Sequence, residues 1–229
     1  KRVKAEKLKT ISGLTERVLH DQTCMSRLFF DLSINVTTMF RDSDFFLAFR
    51  EKVIPLLATY PFIRIWVAGC STGEEVFSIS IILKEAGLLE RCRIYATDIN
   101  EEILETARRG IFPLKMMREY TANYHASGGT SAFSGYYTAK YDSAIFNPYL
   151  KENIVFAKHD LAIDTSFNEF NAIICRNTMI YFNRRLQNRV FELFHNSLAT
   201  FGIIGLGSSE SLKFSTIEGS YEQMDGNVK

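Results

Sequence analysis

The residues best suited to chemistry sit in one short stretch, Gly69-Cys70-Ser71-Thr72-Gly73-Glu74-Glu75, and in an aspartate beyond it, Asp98. An apolar run at 63–68 leads into the stretch, and an amphipathic run at 74–86 leads out of it. Glycine-rich turns between a strand and a helix bring backbone N–H groups and a positive helix end to a ligand. Gly69 and Gly73 let such a turn bend sharply and approach its ligand closely. Glu74 and Glu75 then stand where a phosphate would sit, an unfavourable like-charge contact in a partly desolvated site. A cation suits them better. The Rossmann fingerprint G-x-G-x-x-G is absent, as is the Lys-Ser/Thr pair that completes a P-loop.

Asp98 ends the next strand-like run, where a carboxylate can accept hydrogen bonds from both hydroxyls of a ribose. Acids at the ends of adjacent strands point to an adenosyl ligand with positive charge and no phosphate. S-adenosylmethionine, with its sulfonium and ammonium groups, has that chemistry. Each acid also has a plainer reading. Thr72-x-x-Glu75 fits a capping box, and Asp98 fits a cap or turn before Ile99-Asn100-Glu101.

Strands and helices must hold these residues. Short apolar runs at 63–68, 93–97, 154–158, 172–175 and 203–206 read as strands. Between them, 74–86 reads as a helix with Val76, Ile79, Leu83 and Ala86 on one stripe, and 101–109 as a second. Leu186, Val190, Leu193, Phe194 and Leu198 mark a third. Such alternation predicts an α/β fold with a doubly wound, mainly parallel, Rossmann-like sheet. A segment at about 113–153 interrupts it and reads as a small β insertion, with 127–131 (Ser-Gly-Gly-Thr-Ser) a flexible loop and 135–141 a short antiparallel strand. Residues 1–60 read as a helical N-terminal segment, the last part of a longer one, ahead of a domain at 61–229. Leu14, Val18, Leu28 and Leu32 are its candidate buried positions, and Pro55 is expected to kink or end a helix begun near residue 42.

Composition narrows the function classes. The 229 residues are 46% hydrophobic with a net charge of +1, which gives no prior for nucleic-acid or membrane binding. The basic start (Lys1, Arg2, Lys4, Lys7, Lys9) reads as a solvated helix face. Cys24, Cys70, Cys92 and Cys175 are dispersed, without metal-ligand spacing, so no metal and no disulfide framework is expected. No run is long enough to span a membrane, and a cytoplasmic location is the simplest expectation. His159 is read as structural, and Cys70 and Cys175 as small buried hydrophobes. Asn147-Pro148-Tyr149 is only part of the N-P-P-Y signature of nucleic-acid amino-methyltransferases and precedes a strand instead of following one.

Five stretches carry a resemblance: NVTTMFRD (35–42), RIWVAGCSTGEEVFSISI (64–81), ATDINEEILETARRGIF (96–112), FNAIICRNTMIYFNRRLQ (170–187) and GLGSSESL (205–212). Together they make the chain similar, from about residue 30 onward, to the CheR family of S-adenosylmethionine-dependent methyltransferases. These esterify glutamates of bacterial chemoreceptors. The resemblance implies cofactor contacts at Asn35, Thr37, Arg41, Glu75, Asp98, Arg176 and Asn177, beside Gly69 of the turn. It adds Asp160 and Leu161, where many relatives have Asn-Leu, so Asp160 is a departure. Arg41 and Tyr181 are implied nearest the reacting centre, Arg41 anchoring the substrate carboxylate and Tyr181 positioning substrate or methyl donor. The implied partners are methyl-accepting receptor helices, met by a monomer, with S-adenosylhomocysteine as product. The long, irregular 120–150 region reads as one that does not dock a receptor tail. Two other readings stand beside this one: a cofactor-binding signalling adaptor without turnover, and a methyltransferase for a small molecule or nucleic acid.

Overall fold

A computed structural model describes residues 2–25, 28 and 37–224. Leu32 and Asn35 lie outside the described residues. Contacts divide the chain into two units, Lys1–Val36 and Thr37–Lys229. In the first, α1 (Arg2–Ala5) and α2 (Ile11–His20) are short helices, and the Thr10 hydroxyl caps α2 by accepting from Gly13 N–H at 3.1 Å. Leu14 is buried, Lys4, Lys7 and Lys9 are exposed, and Arg2 pairs with Glu6 at 3.3 Å.

The second unit opens with α3 (Ser43–Ala48), which runs on through a π-helical segment, Phe49–Val53, into a last turn, Ile54–Leu57. Pro55 sits in that turn, and the wider π segment ahead of it accommodates the backbone donor that proline lacks. Next come β1 (Ile63–Ala68), α4 (Glu74–Glu85), β2 (Cys92–Asp98) and α5 (Glu101–Arg109). The insertion contributes β3 (Ile111–Pro113), α6 (Met117–Ala126), β4 (Tyr137–Lys140) and β5 (Ser143–Phe146). The chain then completes β6 (Ile154–Lys158), β7 (Phe170–Cys175), α7 (Arg184–Ser197) and β8 (Leu198–Leu206).

The main sheet has the order β6-β2-β1-β7-β8, and every pairing in it is parallel. The chain winds outward from β1 in one direction, returns, and winds out in the other, so the topological switch point lies between β1 and β7. Strand periodicity divides the core. Ile63, Ile65 and Val67 face one cluster with α3, α4 and the insertion, while Trp66 and Ala68 face another with α7. Trp66 is fully buried, its indole N–H donating to Thr97 Oγ1 at 2.8 Å and its ring centroid 5.3 Å from that of Phe194.

α4 departs from a one-sided stripe. Apart from half-buried Glu75 it is buried from Glu74 to Leu83, whereas Ala86 is exposed. The insertion covers the face that a lone surface helix would give to water: Phe77 meets Phe112 and Phe146 edge-on at 5.4 and 5.5 Å, and Ser80 donates to the Leu150 carbonyl at 2.5 Å. The insertion's sheet, β3-β5-β4, is antiparallel. Its 127–131 stretch is pinned and not the flexible loop its composition suggests. Ser127 is buried and donates to the Tyr124 carbonyl at 2.7 Å, while Ser131 N–H donates to the Tyr124 hydroxyl at 3.0 Å. Among the described residues no helix is long and apolar enough to cross a membrane.

Candidate functional site

The turn after β1 and the turn after β7 meet at the switch point. Gly69 has φ 76°, and a Cβ there would lie 2.3 Å from Thr178 Oγ1, so only glycine lets the two turns touch. Gly69 and Cys70 N–H both donate to the Thr97 carbonyl, at 2.8 and 2.9 Å, locking the turn onto β2. Asp98 completes the lock: Oδ2 accepts from Ser71 N–H and Oδ1 from Asn100 N–H, each at 3.0 Å. A carboxylate offers about four lone-pair positions, so Asp98 keeps acceptor capacity for a ligand. Burial pushes its carboxyl above the ordinary 3.8, against the pull of the Asn100 and Ser71 N–H groups. Ser71 is itself left-handed (φ 49°), and its buried hydroxyl has no hydrogen-bond partner among the described residues.

Glu74 and Glu75 diverge. The capping box does not form: Gly73 is the N-cap of α4 without a side-chain bond, and the Thr72 hydroxyl donates to Glu74 at 2.6 Å. Glu74 turns inward, where it also accepts from the Tyr120 hydroxyl at 3.3 Å, and burial pushes its carboxyl up. Glu75 turns across the switch point to Arg176, which donates to it at 2.7 Å. Arg176 has a side chain only 2% exposed. Its second amino group donates to Asp42 at 2.7 Å and to the Arg41 carbonyl at 2.9 Å, and its guanidinium carbon lies 4.2 Å from the centre of the Phe45 ring. A desolvated guanidinium needs such partners, and here they fasten residues 41–42 to the ends of β1 and β7. Burial pushes the Glu75 carboxyl up; Arg176 and, less strongly, Arg41 oppose it. Arg41 is therefore near Glu75, and it is half-buried, as is Thr37.

One residue that sequence reasoning passed over organises the far side. Glu210 is buried and accepts four backbone N–H groups: Asn177 at 2.9, Thr178 at 2.9, Met179 at 2.7 and Gly207 at 2.8 Å. It thereby ties the turn after β8 to the turn after β7 and holds Asn177 in a left-handed conformation (φ 57°). A Cβ on Gly207 would come within 2.7 Å of the Glu210 carboxylate, which is why that turn carries glycine. The signal was the single acid inside GLGSSESL, which the sequence offers only as part of a glycine-rich turn.

Gly69, Glu75, Asp98, Arg41, Arg176 and Asn177 thus converge at the carboxyl ends of β1, β2 and β7. Asp160 and Leu161 follow β6 on the same edge, where His159 N–H donates to the Asp98 carbonyl at 3.1 Å. Asp160 Oδ1 accepts from Ala162 N–H at 2.8 Å, closing its own turn, and Leu161 is buried. Tyr181 is 61% exposed in a short 3-10 segment, Met179–Tyr181, so it is not a core-packing tyrosine. His159 is enclosed by Trp66 and Phe167, a structural position. Cys70 and Cys175 are buried, and burial pushes both thiols well up, so neither supplies a thiolate.

A parallel sheet of this order, its switch point lined by carboxylates and not by a phosphate loop, defines a Rossmann-like methyltransferase domain. Residues 35–228 match the family described as CheR methyltransferase, SAM binding domain, and the chain belongs to that family. Among its relatives is the putative methyltransferase Cher3 of Pseudomonas putida, 51% identical over 94% of this chain and 79% of that protein. The chemotaxis protein methyltransferase of Listeria innocua is 30% identical over 79% of this chain and 67% of its own length. That of Escherichia coli is also 30% identical, over 82% of this chain and 64% of its own length. A solved structure, the DhpI–SAH complex, is similar at 15% identity and a TM-score of 0.44, over 88% of this chain and 72% of that one.

Proposed function

We propose that this chain transfers the methyl group of S-adenosylmethionine to glutamate side chains on cytoplasmic helices of methyl-accepting receptors, forming methyl esters in chemotaxis or a related signalling pathway. In this reading it works in the cytoplasm as a monomer, without a metal, and releases S-adenosylhomocysteine. The supporting observation is the family match over residues 35–228, with the acids Glu75 and Asp98 of that domain gathered at its switch point. The residues fit the cofactor. Asp98 retains acceptor capacity for a ribose, the unpartnered Ser71 hydroxyl lies in the same turn, and the Gly69 turn brings backbone close. Asp160 and Leu161 would flank the adenine; Asn35, Thr37, Arg41, Arg176 and Asn177 would complete the pocket.

The cofactor supplies, when bound, a methyl group on a sulfonium that leaves as a neutral thioether. The chain's own residues have the remaining work. A substrate glutamate is ionised at neutral pH, so none of them need act as a base. Arg41 orients the incoming carboxylate with its two-pronged guanidinium, and Tyr181, at the solvent edge, positions substrate over the site. Arg176 acts through others, fixing Glu75 and residues 41–42. Arg41→Ala is expected to lower kcat about 10²–10³-fold with little change in melting temperature, read from initial rates and calorimetric scans; unaltered turnover would remove Arg41 from the reacting centre. Asp98→Ala is expected to raise the Kd for S-adenosylhomocysteine about 30-fold, measured by titration calorimetry. In the unaltered chain this affinity falls on acidification at a pH above the ordinary aspartate value of 3.8, because burial raises the Asp98 pKa and the protonated acid accepts fewer bonds.

A further inference from the structure

The two turns that Glu210 joins continue outward into exposed side chains, of which only Tyr181 enters the chemistry above. From the turn after β7 come Ile180 and Tyr181, 43% and 61% exposed. From the turn after β8 come Lys213 and Phe214, and Phe214 is 87% exposed. Arg184 bridges them, donating to the Lys213 carbonyl at 2.7 Å. Phe214 carries two costs at once: a bulky aromatic in water, and a left-handed backbone (φ 62°) that suits glycine far better. The conformation is held, since Phe214 N–H donates to Glu218 at 2.6 Å. We infer that Ile180, Tyr181, Lys213 and Phe214 form a docking platform for an amphipathic, acidic helix of the methyl-accepting substrate, an inference that rests on the methyl-transfer reading above.

Charge and position favour that occupant. A helix that presents methyl-accepting glutamates is acidic around the acceptor; exposed Lys213 adjoins Phe214 in the chain and exposed Arg184 reaches the Lys213 carbonyl, two cations against the one acid, Glu218, that holds the Phe214 N–H. The platform is continuous with the candidate site through Tyr181 and the Glu210 clamp. An apolar stripe with acids beside it fits the helix-in-groove mode, with Phe214 as its aromatic anchor.

Phe214→Gly tests this directly, because it removes the ring while suiting the left-handed backbone. With a soluble receptor cytoplasmic fragment as substrate, KM is expected to rise about tenfold, kcat and the Kd for S-adenosylhomocysteine to stay within about twofold, and the melting temperature to hold or rise. Lys213→Glu is expected to raise KM as well and to flatten its dependence on salt. If the fragment is still methylated and KM is unchanged in both variants, the platform proposal is overturned while the methyl-transfer reading stands. An unchanged KM with a dimer-to-monomer shift in Phe214→Gly would assign the surface to a second copy of the chain, again overturning it. If the unaltered chain forms no ester on the fragment, the methyl-transfer reading itself fails and the platform falls with it.

Discussion

Arg176→Met is expected to lower stability by about 3–5 kcal/mol, a fall in melting temperature of roughly 6–20 °C for a chain of this size. The loss comes mainly from Glu75, whose side chain is 15% exposed and which would be left buried without its counter-charge. The pairing with Asp42 adds less, because that side chain is 44% exposed and water screens it. Residues 41–42 would also lose their tie to the switch point, so cofactor affinity and turnover should fall together. The deficit has a definite pH dependence. Without Arg176, burial acts on Glu75 less opposed, and its folded pKa rises further above the unfolded value. A raised carboxylate pKa stabilises below the unfolded pKa and loses that contribution as pH rises through the folded pKa, so the variant is least impaired in mild acid. Replacing both residues, Arg176→Met with Glu75→Gln, should recover most of the loss. Thermal scans of the three variants across pH check this; a double variant no better than Arg176→Met would show that the buried charge is not the cause.

Glu210→Ala has a comparable expected effect through a different route. Four backbone donors lose one carboxylate, and a loss of about 3 kcal/mol or more follows, since each unmet buried donor costs about 1–3 kcal/mol before water or relaxation intervenes. The division between the two oxygens makes the prediction sharper. Oε1 accepts from Thr178 and Met179, and Oε2 from Asn177 and Gly207, so each oxygen faces two N–H groups. An amide NH₂ group would therefore confront two donors in either orientation. Glu210→Gln, usually a mild change, is expected to be nearly as damaging as alanine in denaturant unfolding, and a Gln variant of wild-type stability would contradict the clamp.

The strands, and the part of the site at the ends of β1 and β2, were legible because their signals are local. Ile63, Ile65 and Val67 alternate with Trp66 and Ala68 within one run, and Asp98 closes the next. What escaped depended on partners distant in sequence. Thr72-x-x-Glu75 has the spacing of a capping box, yet Arg176, a buried cation 101 positions away, outcompetes a backbone N–H for the Glu75 carboxylate. Glu210 reads as one acid in a glycine-rich turn until β8 sets it beside the turn after β7. Val76, Ile79 and Leu83 are buried as their spacing implies, but Ala86 is exposed and the other face of α4 as far as Leu83 is covered too because the insertion folds back over it, and Ser127–Ser131 looks loose until the Tyr124 hydroxyl and carbonyl are seen to hold it.

The central claim is methyl-ester formation on glutamate. Its most direct test is incubation of the chain with S-adenosylmethionine carrying a radiolabelled methyl group and a receptor cytoplasmic fragment, followed by alkaline hydrolysis. Label that appears on the fragment, maps to glutamate and is released by base as methanol is the result predicted, with the Arg41→Ala variant transferring little. Cofactor binding without base-labile label on any receptor fragment would contradict it and leave a binding module in its place.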